Sequence, residues 1–70
     1  MEYRIKYLAH KSLIGGYKPI VLVNGQPVYF PERNKKTKRG ALAAGKRAAE
    51  DLAKMYTSAS AKNVVSVQRG

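Results

Sequence analysis

The sequence contains no cysteine and a single histidine, His10, and these two scarcities exclude several kinds of site. Without thiols there is no disulfide framework and no thiolate ligand, and one imidazole does not make a metal site by itself. We therefore expect no bound metal and no cofactor. The absence of cysteine also favours a reducing compartment, so we expect a cytoplasmic protein, associated with the nucleoid if it binds DNA.

Acidic residues are scarce as well. Four Asp and Glu stand against fourteen Lys and Arg, which gives a formal charge of +10 on 70 residues. With so few carboxylates and no base near the serines, the groups for acid–base or nucleophilic catalysis are missing, and we predict that the chain is not an enzyme. A charge excess of this size indicates an anionic partner, of which nucleic acid is the commonest, an anionic membrane surface the second and an acidic protein the third.

Long apolar runs are also absent, so we expect no segment that crosses a membrane and no membrane partner. The first residues, Met1 to Arg4, lead into alternating polar and apolar residues and do not resemble a secretory signal peptide. A chain of this length allows one domain with a thin core. We predict a single small basic domain over 1–70, in which the residues from about 58 onward form either a flexible tail or, at 63–68, a fourth strand.

Alternation of apolar and polar residues over 3–7 predicts a first strand that carries Arg4 and Lys6 on its exposed face. The stretch 10–17, which contains two glycines, predicts a mobile loop. The apolar run 19–23 then predicts a second, central strand. Together these segments predict a sheet with one buried face and one basic face.

The dipeptide Asn24-Gly25 is a strong signal for a two-residue hairpin and predicts a third strand over 26–30. In that register Pro27 lies opposite Leu22, at a position whose N–H points away from the second strand. Pro27 is harmless there only if no further strand lies beyond it, so the third strand is predicted to be a sheet edge. A fourth strand at 63–68 then belongs beside the first, parallel to it, in the order 3-2-1-4.

Thr37 is a suitable N-cap for a helix that we predict to run to about Tyr56. Its apolar stripe comprises Leu42, Gly45, Ala49, Leu52 and Tyr56, widened by Ala41, Ala44, Ala48 and Met55. On the opposite side, i,i+4 spacing predicts the ion pairs Lys46–Glu50, Arg47–Asp51 and Glu50–Lys54. We therefore predict an α+β fold, β-β-β-α-β, in which a three- or four-stranded antiparallel or mixed sheet is covered on one face by a single long helix.

Five cations fall within 33–39, directly before this helix, where the helix dipole disfavours positive charge. Backbone N–H groups, the dipole and long cationic side chains would act together on a phosphate bound there. The alternative is a solvated basic loop that only maintains solubility. The residues that we predict to contact nucleic acid are Arg33, Lys35, Lys36, Lys38 and Arg39 at the helix start, Arg4 and Lys6 on the sheet, Lys11 and Lys18 in the first loop, and Lys46 on the helix.

Two of these places have alternative interpretations. The exposed sheet face, to which we add Gln26 and Tyr29, either presents its side chains to a nucleic-acid groove or forms a second small core around Ile20 and Leu22, covered by a loop or another subunit. In the first loop, Tyr17 either stacks on an unpaired base or anchors the loop.

The segment Ile20-Val21-Leu22-Val23-Asn24-Gly25-Gln26, followed by Thr37-Lys38-Arg39-Gly40-Ala41 and an alanine-rich helix, resembles the carboxyl half of the double-stranded-RNA-binding domain, where a hairpin precedes a Ser-Lys-Lys-x-Ala helix start. It is also similar to the amino-terminal, arm-type DNA-binding domain of tyrosine integrases. The first resemblance implies that Lys38 and Arg39, with Lys35 and Lys36, clamp phosphates. The second implies that Arg4 and Lys6 face DNA. The amino-terminal helix of the RNA-binding family has no counterpart in these residues, which favours duplex DNA over RNA.

We therefore predict an accessory or regulatory protein that binds double-stranded DNA, as a monomer or weak dimer. The alternative is a small basic inhibitor or adaptor of the phage type that binds an acidic host protein. Structured RNA is a third target to consider.

Overall fold

A four-stranded mixed sheet and one long helix make up the computed structural model, which describes residues 1–28 and 33–70. The elements are β1 (Glu2–Lys11), β2 (Tyr17–Val23), β3 (Gln26–Val28), α1 (Lys38–Ala59) and β4 (Val64–Arg69). The strand order is β3-β2-β1-β4, in which β2 is antiparallel to both β1 and β3, and β4 is parallel to β1. The predicted α+β fold and its strand order are confirmed.

The β1–β2 hairpin is longer than the sequence pattern predicts. His10 pairs with Lys18 and Lys11 with Tyr17, so all four residues belong to strands and the connection is confined to 12–16. The predicted loop over 10–17 is therefore present but shorter, at 12–16, and its predicted bounds were wrong. Strand pairing is stabilised by backbone hydrogen bonds, which form whether or not the side chains show an apolar alternation.

The second hairpin turns at Asn24 and Gly25, whose φ angles of 51° and 81° are the positive values that a type I′ turn requires. The predicted register is confirmed in the described residues, because Val23 pairs with Gln26 and Leu22 with Pro27. The strand is described as far as Val28, and the remainder of its predicted length, 29–30, lies outside the described residues.

Asn24 also connects this turn to β1. Its side-chain Oδ1 accepts a hydrogen bond from the Arg4 N–H at 2.8 Å, and its own N–H donates to the Arg4 carbonyl at the same distance. Asparagine tolerates a positive φ and supplies a side-chain acceptor, so one residue makes the turn and anchors it to the neighbouring strand.

For the residues after the helix, the sequence left two alternatives, a flexible tail or a fourth strand. The structure has the strand. Val65 lies beside Tyr3, and Val67 lies beside Ile5 in the parallel register, which brings both valines to the face that packs on the helix. The parallel register also sets Arg69 beside Tyr7. β4 therefore extends the buried face and ends it with a cation.

The core lies between the sheet and α1, which packs across β1, β2 and β4. Ile5 and Val21 are completely buried between them. At one end of the layer the rings of Tyr3 and Tyr56 stack with centroids 4.3 Å apart and planes 5° from parallel. As expected for this length, the core is thin, and it has an aromatic pair at its edge.

Small residues allow α1 to approach the sheet closely. A Cβ atom at Gly45 would lie 3.3 Å from the Cβ of Tyr7 and 3.7 Å from the carbonyl oxygen of Ile20. The predicted stripe is confirmed at Gly45 and Ala49, which are buried. The prediction for Met55 was wrong, because this side chain is 65% exposed. It is turned about 80° around the helix from Gly45 and falls at the margin of the packed face.

We expect Gly45→Leu to lower the free energy of unfolding by about 1–3 kcal/mol, although leucine is the better helix former, because the added side chain has no space beneath the helix. Chemical denaturation monitored by circular dichroism measures the change. Ala43→Leu, at an exposed position on the same helix, is the matched control and should change stability by less than about 0.5 kcal/mol. Equal losses in the two variants would contradict close helix–sheet packing at Gly45.

Candidate nucleic-acid interface

Residues 33–36 of the basic run are bound to the start of β2. The Tyr17 N–H donates to the Lys35 carbonyl at 2.7 Å, and the Lys35 N–H donates to the Tyr17 carbonyl at 2.8 Å, which makes an isolated antiparallel bridge. The Asn34 side-chain amide donates to the Gly15 carbonyl at 3.4 Å. Of the two predicted roles for Tyr17, the anchoring one describes its backbone. The basic run is therefore held against the β1–β2 turn.

Gly16 makes this approach sterically allowed. Its φ is +74°, and a Cβ atom at this position would lie only 2.6 Å from the Lys35 carbonyl oxygen. No residue other than glycine fits there without moving the backbone of one of the two segments. The sequence pattern indicated only a flexible pair of glycines, whereas the structure uses Gly16 as the contact point of the two segments.

The helix begins beside this bridge. The Thr37 Oγ1 accepts a hydrogen bond from the Gly40 N–H at 3.1 Å, which confirms Thr37 as the N-cap. The first turn of α1 contains no acidic residue, and Lys38 and Arg39 occupy it with exposed side chains. The positive end of the helix dipole is thus surrounded by further positive charge, an arrangement that a bound anion stabilises.

A cleft lies between the first half of α1 and the end of β4, and we call it the helix–β4 cleft. Its volume is about 490 Å³. The residues that line it are Tyr7, Lys38, Arg39, Leu42, Ala43, Lys46 and Arg69. Four of them are cationic and none is acidic. The spacing Lys38, Leu42, Lys46 is one i,i+4 row of the helix, so two of the cations stand along a single ridge.

Sequence reasoning did not identify Arg69 as a site residue. The available signal was the alternation in β4, where Val65 and Val67 face the helix and Arg69 continues the same parity. Its position beside Tyr7 follows from the parallel pairing of β4 with β1, which joins residues more than sixty positions apart.

The structure brings most of the predicted contact residues to one end of the molecule, which we call the basic end. Lys38, Arg39 and Lys46 line the helix–β4 cleft, and Lys35 and Lys36 adjoin Gly15 and Gly16 of the turn. The other predicted residues at this end are Arg33, Lys11 and Lys18, all exposed, and the latter two lie on strands rather than in a loop. The basic end therefore joins three separate stretches of the chain.

Arg4 and Lys6 are not part of the basic end. Both are exposed on β1, on the sheet face opposite the helix. The Arg4 Nε donates to the Glu2 Oε1 at 3.1 Å, and both side chains are largely exposed, so this pair contributes little stability. The sheet face is therefore a second, separate basic surface.

Gln26 does not belong to that exposed face. Gln26 pairs with Val23, whose side chain packs against the core, and paired residues point to the same face of a sheet. The prediction that placed Gln26 on the same face as Arg4 was therefore wrong. Tyr29, the other predicted member from this hairpin, lies outside the described residues. Leu8, Ile20 and Leu22 are half-buried on the same open face, and no described element covers them.

The predicted ion pairs on α1 are not formed. Within 1–28 and 33–70, the recorded ion pair with a nitrogen–oxygen distance below 4.0 Å is the one between Arg4 and Glu2. An exposed i,i+4 pair gains only about 0.2–0.5 kcal/mol, which the loss of side-chain freedom readily offsets. Lys46 lines the helix–β4 cleft instead of pairing with Glu50.

No three His, Cys, Asp or Glu residues of the described ranges lie close enough together to hold a metal ion. None of the described helical residues forms a segment long and apolar enough to span a membrane.

Comparison of the chain with protein-family models, with curated proteins and with solved structures finds no match. The support for a nucleic-acid interface therefore comes from the geometry and charge of the chain itself.

We expect Gly16→Ala to lower the free energy of unfolding by about 2–4 kcal/mol, because it combines a strained positive φ with a clash against the Lys35 carbonyl. Gly25→Ala is the matched control, since φ is +81° there but nothing lies within 4 Å of the added Cβ. In that control the free energy of unfolding should fall only by the cost of placing alanine at a positive φ, about 1–2 kcal/mol.

Hydrogen exchange of the Tyr17 and Lys35 amides, measured by NMR, reports directly on the bridge. Both amides should lose protection in Gly16→Ala and keep it in Gly25→Ala. Equal protection in the two variants would show that Gly16 is not needed for the contact.

Proposed function

We propose that this protein binds nucleic acid, with duplex DNA as the target, through phosphate contacts at the basic end. The helix–β4 cleft is the observation that carries the proposal, because it gathers four cations and no acid beside a helix N-terminus. Phosphate contact requires long cationic side chains rather than exact side-chain geometry, and such contacts position a protein on the duplex. An accessory or regulatory role fits a small, strongly basic domain.

The shape of the molecule supports a linear polyanion as the ligand. The chain measures 41 × 17 × 17 Å, and its long axis compares with one turn of B-DNA, roughly 34 Å. A molecule of this length can contact phosphates along about one turn of a duplex.

The placement of the aromatic residues argues against single strands. Proteins that bind single strands expose rings on which successive bases stack. Here Tyr3 and Tyr56 stack on each other, and Tyr7 lines the helix–β4 cleft. The described part of the chain therefore offers no row of open rings.

Two triple variants of equal composition test the assignment. One is Lys38→Ala with Lys46→Ala and Arg69→Ala, which removes three cations of the cleft. The other is Lys54→Ala with Lys62→Ala and Arg47→Ala, which removes the same charge from outside the cleft. Fluorescence anisotropy of labelled duplex DNA, duplex RNA and single-stranded DNA is measured with each protein across a salt series.

We expect the cleft variant to flatten the slope of log affinity against log salt by about 3, because each neutralised phosphate contributes about 0.9 to the slope. The matched control should keep most of the wild-type slope. If both variants changed the slope equally, the binding would follow net charge and the cleft would not be the interface. Stronger binding of duplex RNA than of duplex DNA would overturn the choice of target.

The open sheet face favours one alternative function, the binding of an acidic protein. It combines the exposed Lys6 and Arg4 with the half-buried Leu8, Ile20 and Leu22, a mixture that is suited to a protein partner with acidic and apolar groups. A partner retained at about 0.5 M salt, where phosphate binding is severely weakened, and released by Leu8→Gln with Leu22→Gln would support this alternative.

A further inference from the structure

The β1–β2 turn presents two large aliphatic side chains to solvent. Leu13 is 106% exposed and Ile14 is 91% exposed, the highest values among the exposed large hydrophobic residues of the described chain. Single exposed apolar residues are ordinary, but two adjacent ones at the tip of a hairpin form a protruding apolar patch. Neither side chain belongs to the hydrophobic core, so neither contributes to its packing.

The turn that carries them is held by several hydrogen bonds. The Ser12 N–H donates to the Gly16 carbonyl at 3.0 Å, and the Ile14 N–H donates to the Ser12 Oγ at 3.3 Å. The neighbouring Gly15 accepts from Asn34, and Gly16 abuts Lys35. The backbone of the tip is therefore braced from within and from the basic run, which lowers the cost of ordering this turn on binding.

Cations flank the tip on both sides. Lys11 and Lys18 are exposed on the two strands that lead into the turn, and Lys36 adjoins Gly15 and Gly16. A B-DNA minor groove is about 6 Å wide and has a row of phosphates along each edge. An apolar tip between two sets of cations is complementary to a groove between two rows of phosphates.

We propose that Leu13 and Ile14 form a wedge that enters the minor groove of duplex DNA, separates two stacked base pairs and kinks the duplex. This proposal rests on the DNA-binding function proposed above. Leucine and isoleucine are among the side chains that other proteins insert between base steps, with kinks of about 20–90° toward the major groove. The flexible steps TA and CA/TG should be the preferred points of insertion, because they unstack most easily.

An anionic membrane surface is the other ligand that an apolar tip with adjacent cations could suit. The distribution of the cations favours DNA. Lys46 lies eight residues into α1 from Lys38, which places it about 12 Å along the helix axis, and Lys38, Lys46 and Arg69 all line one cleft. Cations spread along the molecule can all contact a linear polyanion such as DNA. A flat membrane touched by the tip would contact only the cations around the tip.

The experiment uses a duplex of about 30 base pairs with a central TA step and a fluorescent donor and acceptor on its ends. Energy transfer reports the end-to-end distance, and anisotropy on the same duplex reports binding. The proteins compared are the wild type, Leu13→Ser with Ile14→Ser, Leu13→Met with Ile14→Met, and Met55→Ser. The last removes an apolar side chain that is 65% exposed on the helix and serves as the matched control.

We expect the wild type and the Met55→Ser control to raise energy transfer on binding. The double serine variant should bind with an unchanged salt slope and an affinity about tenfold lower, but with the energy transfer of free duplex. The double methionine variant should restore most of the bending, because methionine is also an effective wedge. Thermal melting confirms that the substitutions at the exposed tip leave the fold intact.

Each other outcome overturns the wedge. Binding without any increase in energy transfer, or bending that survives the double serine substitution, overturns the wedge and leaves the proposed DNA binding in place. Absence of binding to any duplex overturns both proposals. A parallel flotation assay with vesicles of phosphatidylcholine and phosphatidylserine identifies the remaining case, since loss of vesicle binding but not of DNA bending in the serine variant would assign the tip to a membrane.

Discussion

The backbone bridge between Tyr17 and Lys35 is the contact on which the arrangement of the basic end depends. It fastens the basic run to the sheet directly before Thr37 caps the helix, and it braces the turn that carries Leu13 and Ile14. The bridge is feasible only because Gly16 has no side chain where the Lys35 carbonyl passes. One close backbone approach thus positions the helix start, the flanking cations and the exposed tip together.

Helix–sheet packing provides the second constraint. With a core as thin as this one, the helix must lie close to the strands, and Gly45 and the buried alanines permit it. Charged side chains have no place in that layer and are directed to its margins. The parallel pairing of β4 with β1 then adds Arg69 to the margin where Lys38 and Lys46 already stand, and the helix–β4 cleft is the result.

Local signals in the sequence predicted much of this fold. Asn24-Gly25 specified its turn and register through positive φ angles, Thr37 specified the helix start, and Pro27 specified an edge strand through its missing N–H. The failures have different causes. The first hairpin extends through backbone pairing that its side chains do not signal, and the face of Gln26 follows from its pairing with Val23. Exposed i,i+4 ion pairs on α1 are too weak to fix the positions of their side chains.

The sequence by itself determined the α+β class, the strand order, the N-cap and the excess of positive charge, because periodicity, turn chemistry and composition act over a few residues. Only the tertiary structure decided where that charge converges and which apolar residues remain outside the core. Arg69 joined the cleft through a parallel strand pair, and Leu13 and Ile14 were left at a braced tip by the bridge behind them. Both outcomes follow from contacts between segments far apart in the chain, whose geometry no local pattern records.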